Sequence, residues 1–265
     1  MTVVHDTAWC ATTPKRSHGD DSAGLKSVAT ALDVLECFAL DGSLGVSDIA
    51  RKLGVAKSTA HRLLQTLVSR GFAEQDHESG QYRLGLHLFE LGHLAQARNE
   101  LRHAALPIVR QVAATTGLTV NLAVPDGPDT VFVERIESPA GVHVLGHVGR
   151  RFPSHVTSSG KAIAAFNPEI ARARREAGFP PRVSHTVRTS ADWDRALAQV
   201  RQLGFAVSHS ESFEDSSSVA LPVLRRGVAV AAVSVFGPTP TVAPRVDRLV
   251  PLLTAASRRI ARGTA

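Results

Sequence analysis

The chain has 265 residues, 43% hydrophobic and 20% charged, enough for two ordinary domains with a core each. A formal net charge of +6 permits a polyanionic partner, and Arg, which outnumbers Lys heavily, suits bidentate phosphate contacts. Two cysteines, Cys10 and Cys37, exclude a disulfide framework and a C-x-x-C pair. No signal peptide and no apolar stretch of membrane-span length is visible, so a cytoplasmic protein with no membrane contact is expected.

Residues 1–24 are expected to be a disordered tail. The stretch "LKSVATALDVLECFAL" puts Val28, Leu32, Leu35 and Phe38 at helical spacing, so it is an amphipathic helix. "DGSLGV" breaks it. Ser47 is then expected to cap a short second helix, which Gly54 ends as a left-handed residue. A third helix starts near Lys57 and runs to about Arg70. "FAEQ", "DHESG" and "QYRLG" then predict a small hairpin. Three helices and a hairpin, the third helix longer than the second, are a winged helix-turn-helix over residues 25–85.

Leu86, Leu88, Leu91, Leu94, Leu101, Ala105 and Ile108 continue as a long helical stripe, expected to be split at Pro107. Residues 86–104 are a linker helix on this reading, and 105–265 form a second domain. From Leu118 the period changes to short β-rich runs between Pro and Gly turns. "SSGKAIAAF", "PEIARARREAG" and "TSADWDRALAQVRQLG" predict helices. "FAVSHSE", "SSVALPVL" and "VAVAAVSVFG" predict strands, and "PRVDRLVPLLTAASRRIARG" a last helix despite Pro251. The fold class is therefore α+β, with a largely antiparallel sheet in the second domain.

The third helix carries the strongest functional signal. Stepping 100° per residue places Ala60, Leu63, Leu64, Leu67 and Val68 on one face. Lys57, Ser58, Thr59, His61, Arg62 and Gln65 form the other. From position 49 to 73 there are five basic residues and no acidic one, which a merely solvated face does not require. A helix-turn-helix exposes the first half of this helix to a major groove. Arg62 can fork onto guanine and Gln65 can pair with adenine, whereas Lys57 suits phosphate. With Ser47 and the wing residue Arg83, these residues form the expected contact set for double-stranded DNA. Ser69 and Arg70 lie too far along.

These segments together resemble the IclR family of bacterial transcription regulators. The first half matches in "LKSVATALDVLECF", "SDIARKLGVAKSTAHRLLQTLVSRGF" and "YRLGLHLFELG". The second matches in "GRRFPSHVTSSGKAIAAF", "QLGFAVSHSE" and "SSVALPVLRRGVAVAAVSVFGP". The resemblance implies a GAF-like (profilin-like) effector-binding domain and a homodimer or homotetramer on a palindromic operator. It implies a small organic or aromatic acid as effector, and control of catabolic genes. It also implies effector contacts at Ser158, Ser159, Gly160, Ser208, Ser218, Ser234 and Phe236. The chain departs from the family where Asp215 replaces a frequent glycine and where Phe236 replaces a small or polar residue.

The rival reading is a small-molecule-processing enzyme with an accessory DNA-binding domain. Ser158 and Lys161 formally match S-x-x-K, but the S-D-N and K-T-G partners of that signature are absent. His143, His147 and His155 lack Cys or carboxylate partners at ligand spacing. Glu134 and Glu137 around Arg135 suggest exposed charge, and Glu211, Glu214 and Asp215 suggest a solvated loop. No catalytic residue, metal ligand or cofactor is assigned.

Overall fold

A computed structural model describes residues 25–138 and 148–263. The expected tail, His143 and His147 lie outside the described residues. The chain divides into two compact units between Arg98 and Asn99.

In the first unit, α1 (Lys26–Asp41), β1 (Ser43–Leu44), α2 (Val46–Leu53) and α3 (Lys57–Ser69) precede β2 (Ala73–Gln75) and β3 (Tyr82–Leu84). β3 pairs antiparallel with both β2 and β1, so the wing is a three-stranded sheet rather than a bare hairpin. Val34, Phe38, Ile49, Ala60, Leu64 and Tyr82 form one buried cluster, with Leu63, Leu67 and Val68 packed against it. The helical spacing of these residues is what folds the three helices together. Gly54 sits at φ +65°, ψ 31°, where its N–H reaches the carbonyls of Ala50 and Arg51 and turns the chain from α2 to α3.

Ser47 does not cap α2. Pairing of Ser43 and Leu44 with β3 leaves Gly45, extended at φ −81°, in the capping position without a side-chain hydrogen bond. Ser47 is the second helical residue, and exposed. Pro107 does not split the connector either. α4 (Leu86–Ala97) ends at Arg98, and Asn99 Oδ1 accepts the Arg102 N–H at 2.9 Å to start α5 (Glu100–Thr116). Pro107 lies inside α5, which buries Ala105, Ile108, Val109 and Val112. That burial outweighs the single backbone hydrogen bond a proline removes.

In the second unit, β4 (Thr119–Asp126) and β5 (Asp129–Ile136) are followed, past the undescribed stretch, by β6 (Arg151–Pro153). A 3-10 turn (Ser154–Val156) leads into α6 (Ser158–Ala165), α7 (Pro168–Glu176) and α8 (Ser190–Leu203). Then come β7 (Ala206–His209), β8 (Ser216–Arg225), β9 (Val228–Pro238), α9 (Thr239–Val242) and α10 (Val246–Gly263). The six strands order as β6-β5-β4-β9-β8-β7, and each neighbouring pair is antiparallel. Val120, Leu122, Val219, Leu221, Val233 and Val235 face α5 and α10 in one core. Ala220, Ala232, Ile163, Trp193 and Leu197 make the other, beneath α6 and α8. The sheet is thus covered on both faces.

Two buried polar groups fix the edge of this sheet. Asp129, 3% exposed, meets Arg174 of α7 at 3.2 Å and Arg151 of β6 at 3.5 Å. Burial pushes the Asp129 carboxyl up and the Arg174 guanidinium down, so each charge depends on its partner. His155, fully buried, has Nε2 3.1 Å from the Pro180 carbonyl and meets the Phe179 ring edge-on, while its Nδ1 has no hydrogen-bond partner. Burial, first of all, pushes its pKa down to about 4, so the ring is neutral.

Asp129→Ala should destabilise the chain by about 3–5 kcal/mol in urea unfolding, because it strands Arg174 in the interior; a loss under about 1 kcal/mol would show that the pair is solvated. His155 binds its proton less readily folded than unfolded, so its contribution is complete above pH 6.5 and is lost as pH falls toward 4. Stability should drop by roughly 3 kcal/mol across that window from this group. His155→Gln should flatten that part of the pH profile, and an unchanged profile would rule the group out.

Candidate functional site

α3 begins at Ala56, whose side chain can cap nothing, and its first turn contains no acidic residue. Its leading N–H groups and positive dipole end therefore favour an anion. Lys57, Ser58, Thr59, His61, Arg62 and Gln65 are all exposed, opposite buried Ala60 and Leu64. Lys57 and Arg62 form no ion pair with a described residue, so both cations stay available. Lys52, by contrast, is held by Asp41 at 2.7 Å. Arg83 on the wing pairs with Glu74 at 3.2 Å, both side chains largely in solvent, an interaction worth under about 1 kcal/mol that a phosphate can replace. Gln65 Nε2 donates to Tyr82 Oη at 3.4 Å, a long bond that leans the amide toward the wing.

In the second unit, one cavity opens between the sheet and the start of α6. It encloses about 450 Å³ of space, its open mouth included. Thr157 caps α6, its hydroxyl accepting the Gly160 N–H at 2.9 Å. "SSG" is consequently the first turn of α6. A β-carbon at Gly160 would stand 2.2 Å from the Ser154 carbonyl oxygen, so only glycine lets the helix approach this closely. That approach lets Ser158 Oγ donate to Ser218 Oγ at 2.7 Å and Ser159 Oγ to Ser234 Oγ at 2.9 Å.

Of the residues predicted for an effector, the structure brings Ser158, Ser159, Ser218, Ser234 and Phe236 together around this cavity. Gly160 and Ser208 do not line it. Gly160, in the first turn, packs against the Ser154 backbone, and Ser208 sits on β7 opposite Ser218, 4% exposed. Sequence reasoning missed Asn121, Phe132, Arg135, Phe152, Thr157, Ser212 and Phe213. The aromatic rings run as a chain, with centroid separations of 5.2 Å (Phe132 to Phe152), 6.1 Å (Phe152 to Phe213) and 6.3 Å (Phe213 to Phe236).

Two expected surface charges are buried instead. A β-bulge between Leu122 and Ala123 pairs Glu134 with Leu122 but Phe132 with Ala123, leaving Val133 as the extra residue. Glu134 therefore faces α5, where its carboxylate meets Arg102 Nη2 at 2.7 Å. Arg135 and Phe132, three apart, both reach the cavity. Glu211 is no solvated loop residue, since its carboxylate accepts from Lys161 Nζ at 2.6 and 2.8 Å. Glu214 and Asp215 are exposed, as expected for the loop.

Lys161 also donates to the Val207 carbonyl at 2.8 Å. Its ammonium faces Glu211, not Ser158, so the formal S-x-x-K pair is no nucleophile–base couple. Among the described residues, no group of three or more His, Cys, Asp or Glu is placed to hold a metal, and no helix is long and apolar enough to cross a membrane.

A model of the IclR helix-turn-helix domain matches residues 27–77, and one of the bacterial transcriptional regulator IclR C-terminal domain matches residues 93–262. The chain is 33% identical over 228 residues to the HTH-type transcriptional regulator XynR of Escherichia coli, covering 84% of this chain and 88% of that protein. An IclR-type regulator from Alicyclobacillus acidocaldarius superposes with a TM-score of 0.81 at 28% identity, over 91% of this chain and 100% of that one. An IclR homologue from Microbacterium hydrocarbonoxydans, crystallised with 4-hydroxybenzoate, superposes at 0.76 with 29% identity, over 90% and 98%. With both family models matched in order on the fold they describe, this chain belongs to the IclR family: a transcriptional regulator rather than an enzyme, with a DNA-binding helix-turn-helix domain and a C-terminal effector-binding domain.

Proposed function

We propose that this regulator is a cytoplasmic repressor of catabolic genes that binds a palindromic operator as a homodimer or homotetramer and senses a small aromatic acid. The observation that carries the operator reading is the acid-free, unpaired face of α3 from Lys57 to Gln65. Arg62 is the base-reading candidate and Lys57 the phosphate contact, with Ser58 and Thr59 beside it at the helix start. Ser47 and Arg83 supply flanking backbone contacts. The domain over 25–85 carries this machinery, and the linker helix over 86–104 leads to the effector domain over 105–265.

Self-association is supported by apolar side chains left in solvent. α4 buries none of its residues, and Leu86 (64%), Phe89 (71%) and Leu94 (51%) are exposed, as are Leu25 and Leu32 at the first helix. Two copies would set two recognition helices about one DNA turn apart, which a palindromic site requires. The aromatic-acid reading is supported by four phenylalanines and several hydroxyls around one cavity, and by the 4-hydroxybenzoate found with the Microbacterium hydrocarbonoxydans relative. An acid bound there acts on the operator only through its differential affinity for the DNA-competent and DNA-incompetent arrangements.

Arg62→Ala should cost about 1–3 kcal/mol at one base position and relax specificity there, whereas Lys57→Ala should weaken binding to every operator variant and lower the salt slope by about 1. Fluorescence anisotropy on a panel of single-base operator variants separates the two. Equal losses across the panel for Arg62→Ala would remove it from base reading. Phe89→Glu should shift the chain toward monomer in light scattering, and an unchanged mass would place the interface elsewhere.

A further inference from the structure

We propose that Arg135 and Asn121 form the carboxylate-binding end of the effector cavity, so that the domain selects an aromatic carboxylate over the matching neutral ring compound. This rests on the reading of that cavity as the effector site. Arg135 is 6% exposed at its side chain, yet no buried acid neutralises it. Its Nε donates to Glu137 Oε1 at 3.1 Å, and the Glu137 side chain is half exposed. Its Nη1 donates to Asn121 Oδ1 at 3.2 Å. Nη2 has no hydrogen-bond partner among the described residues, and it belongs to a residue that lines the cavity.

The Asn121 amide is oriented by the same contact. A guanidinium has only donors, so Asn121 must turn its oxygen to Arg135 and its Nδ2 away. Asn121 is 3% exposed, and its Nδ2 likewise has no described partner. Two neighbouring donor groups on the cavity wall, one of them cationic, are thus left without an acceptor among the described residues. Among the described residues no Asp or Glu lines the cavity, and Arg135 is the charged side chain on its wall. An ionised carboxylate supplies the missing acceptors, and its planar edge matches the guanidinium fork.

Strand register sets the rest of the ligand's shape. Arg135 pairs with Asn121, Asn121 with Ser234, and Ser218 lies on the next strand beside Phe236. The Arg135 backbone is three strand spacings from β8, about 14 Å. The ring chain from Phe132 to Phe236 runs between these ends. The favoured ligand is therefore a ring with its carboxylate at Arg135 and a second polar group facing the serines Ser158 and Ser218.

The test is calorimetric titration of the full chain with benzoate and 4-hydroxybenzoate, and with benzamide and 4-hydroxybenzamide as neutral matches. The wild-type chain should prefer each acid over its amide by about tenfold or more. Arg135→Gln should abolish that preference by weakening the acids while changing the amides less than about twofold. Arg135→Lys should recover only part of it, because the fork is lost. Asn121→Asp, nearly isosteric and better paired with Arg135, should also reject the acids and keep the amides. Equal binding of acid and amide by wild type, or equal losses of both in Arg135→Gln and Asn121→Asp, would overturn the role of Arg135 and leave the cavity reading standing. If neither acids nor amides bind the wild-type chain, the aromatic-acid reading falls, and this inference with it.

Discussion

In β4, β8 and β9, every second side chain is committed to the layer of α5 and α10. Val120, Leu122, Val219, Leu221, Val233 and Val235 go that way, all nearly inaccessible to water. A period of two then leaves Asn121, Ser218, Ser234 and Phe236 on the opposite face. That face needs a cover that tolerates polar groups. α6 provides it, because Gly160 lets its first turn come within bonding distance of Ser218 and Ser234. The apolar core on one side and the polar cavity on the other are two consequences of one alternation.

The bulge at Leu122 and Ala123 is the exception that completes the cavity. By inserting Val133 it sends Phe132 and Arg135 to the same face and Glu134 to the other. Glu134 then pairs with Arg102 in the first turn of α5, just after the boundary between the two units. A single strand thereby carries one residue that lines the cavity and, beside it, one tied to the helix that leads back toward the DNA-binding unit. Whether the cavity is filled can bias that helix only if the two arrangements of β5 differ in energy, which is the condition any effector must meet.

In the reading unit, α2, α3 and the wing are legible in the amino-acid order, whereas in α1 Val28 and Leu32 are exposed and Val34 joins Phe38 in the core. The helical spacing of Ala60, Leu63, Leu64 and Leu67 and the left-handed position of Gly54 dictate the fold locally. The place of Ser47 inside α2 is not legible, because Ser43 and Leu44 form a strand too short to show a period. The break falls at Asn99, whose side chain caps α5, and not at Pro107, because tertiary burial of α5 outweighs the proline. In the effector unit, the serines and Phe236 came from segment resemblance. Arg135 did not, because its fate depends on a bulge, and no local pattern in "VFVERIE" tells a bulged buried strand from an exposed one. Phe152 and Phe213 come from distant segments, so only the folded chain shows that they share a wall.

An effector can act on the operator only if the cavity and the reading helix are energetically linked. Thermodynamic reciprocity tests it most directly: operator affinity is measured with and without a saturating aromatic acid, and acid affinity with and without operator DNA. Each ligand should change the other's dissociation constant by the same factor, about 5–150-fold. An acid that binds the cavity while operator affinity stays constant would contradict it.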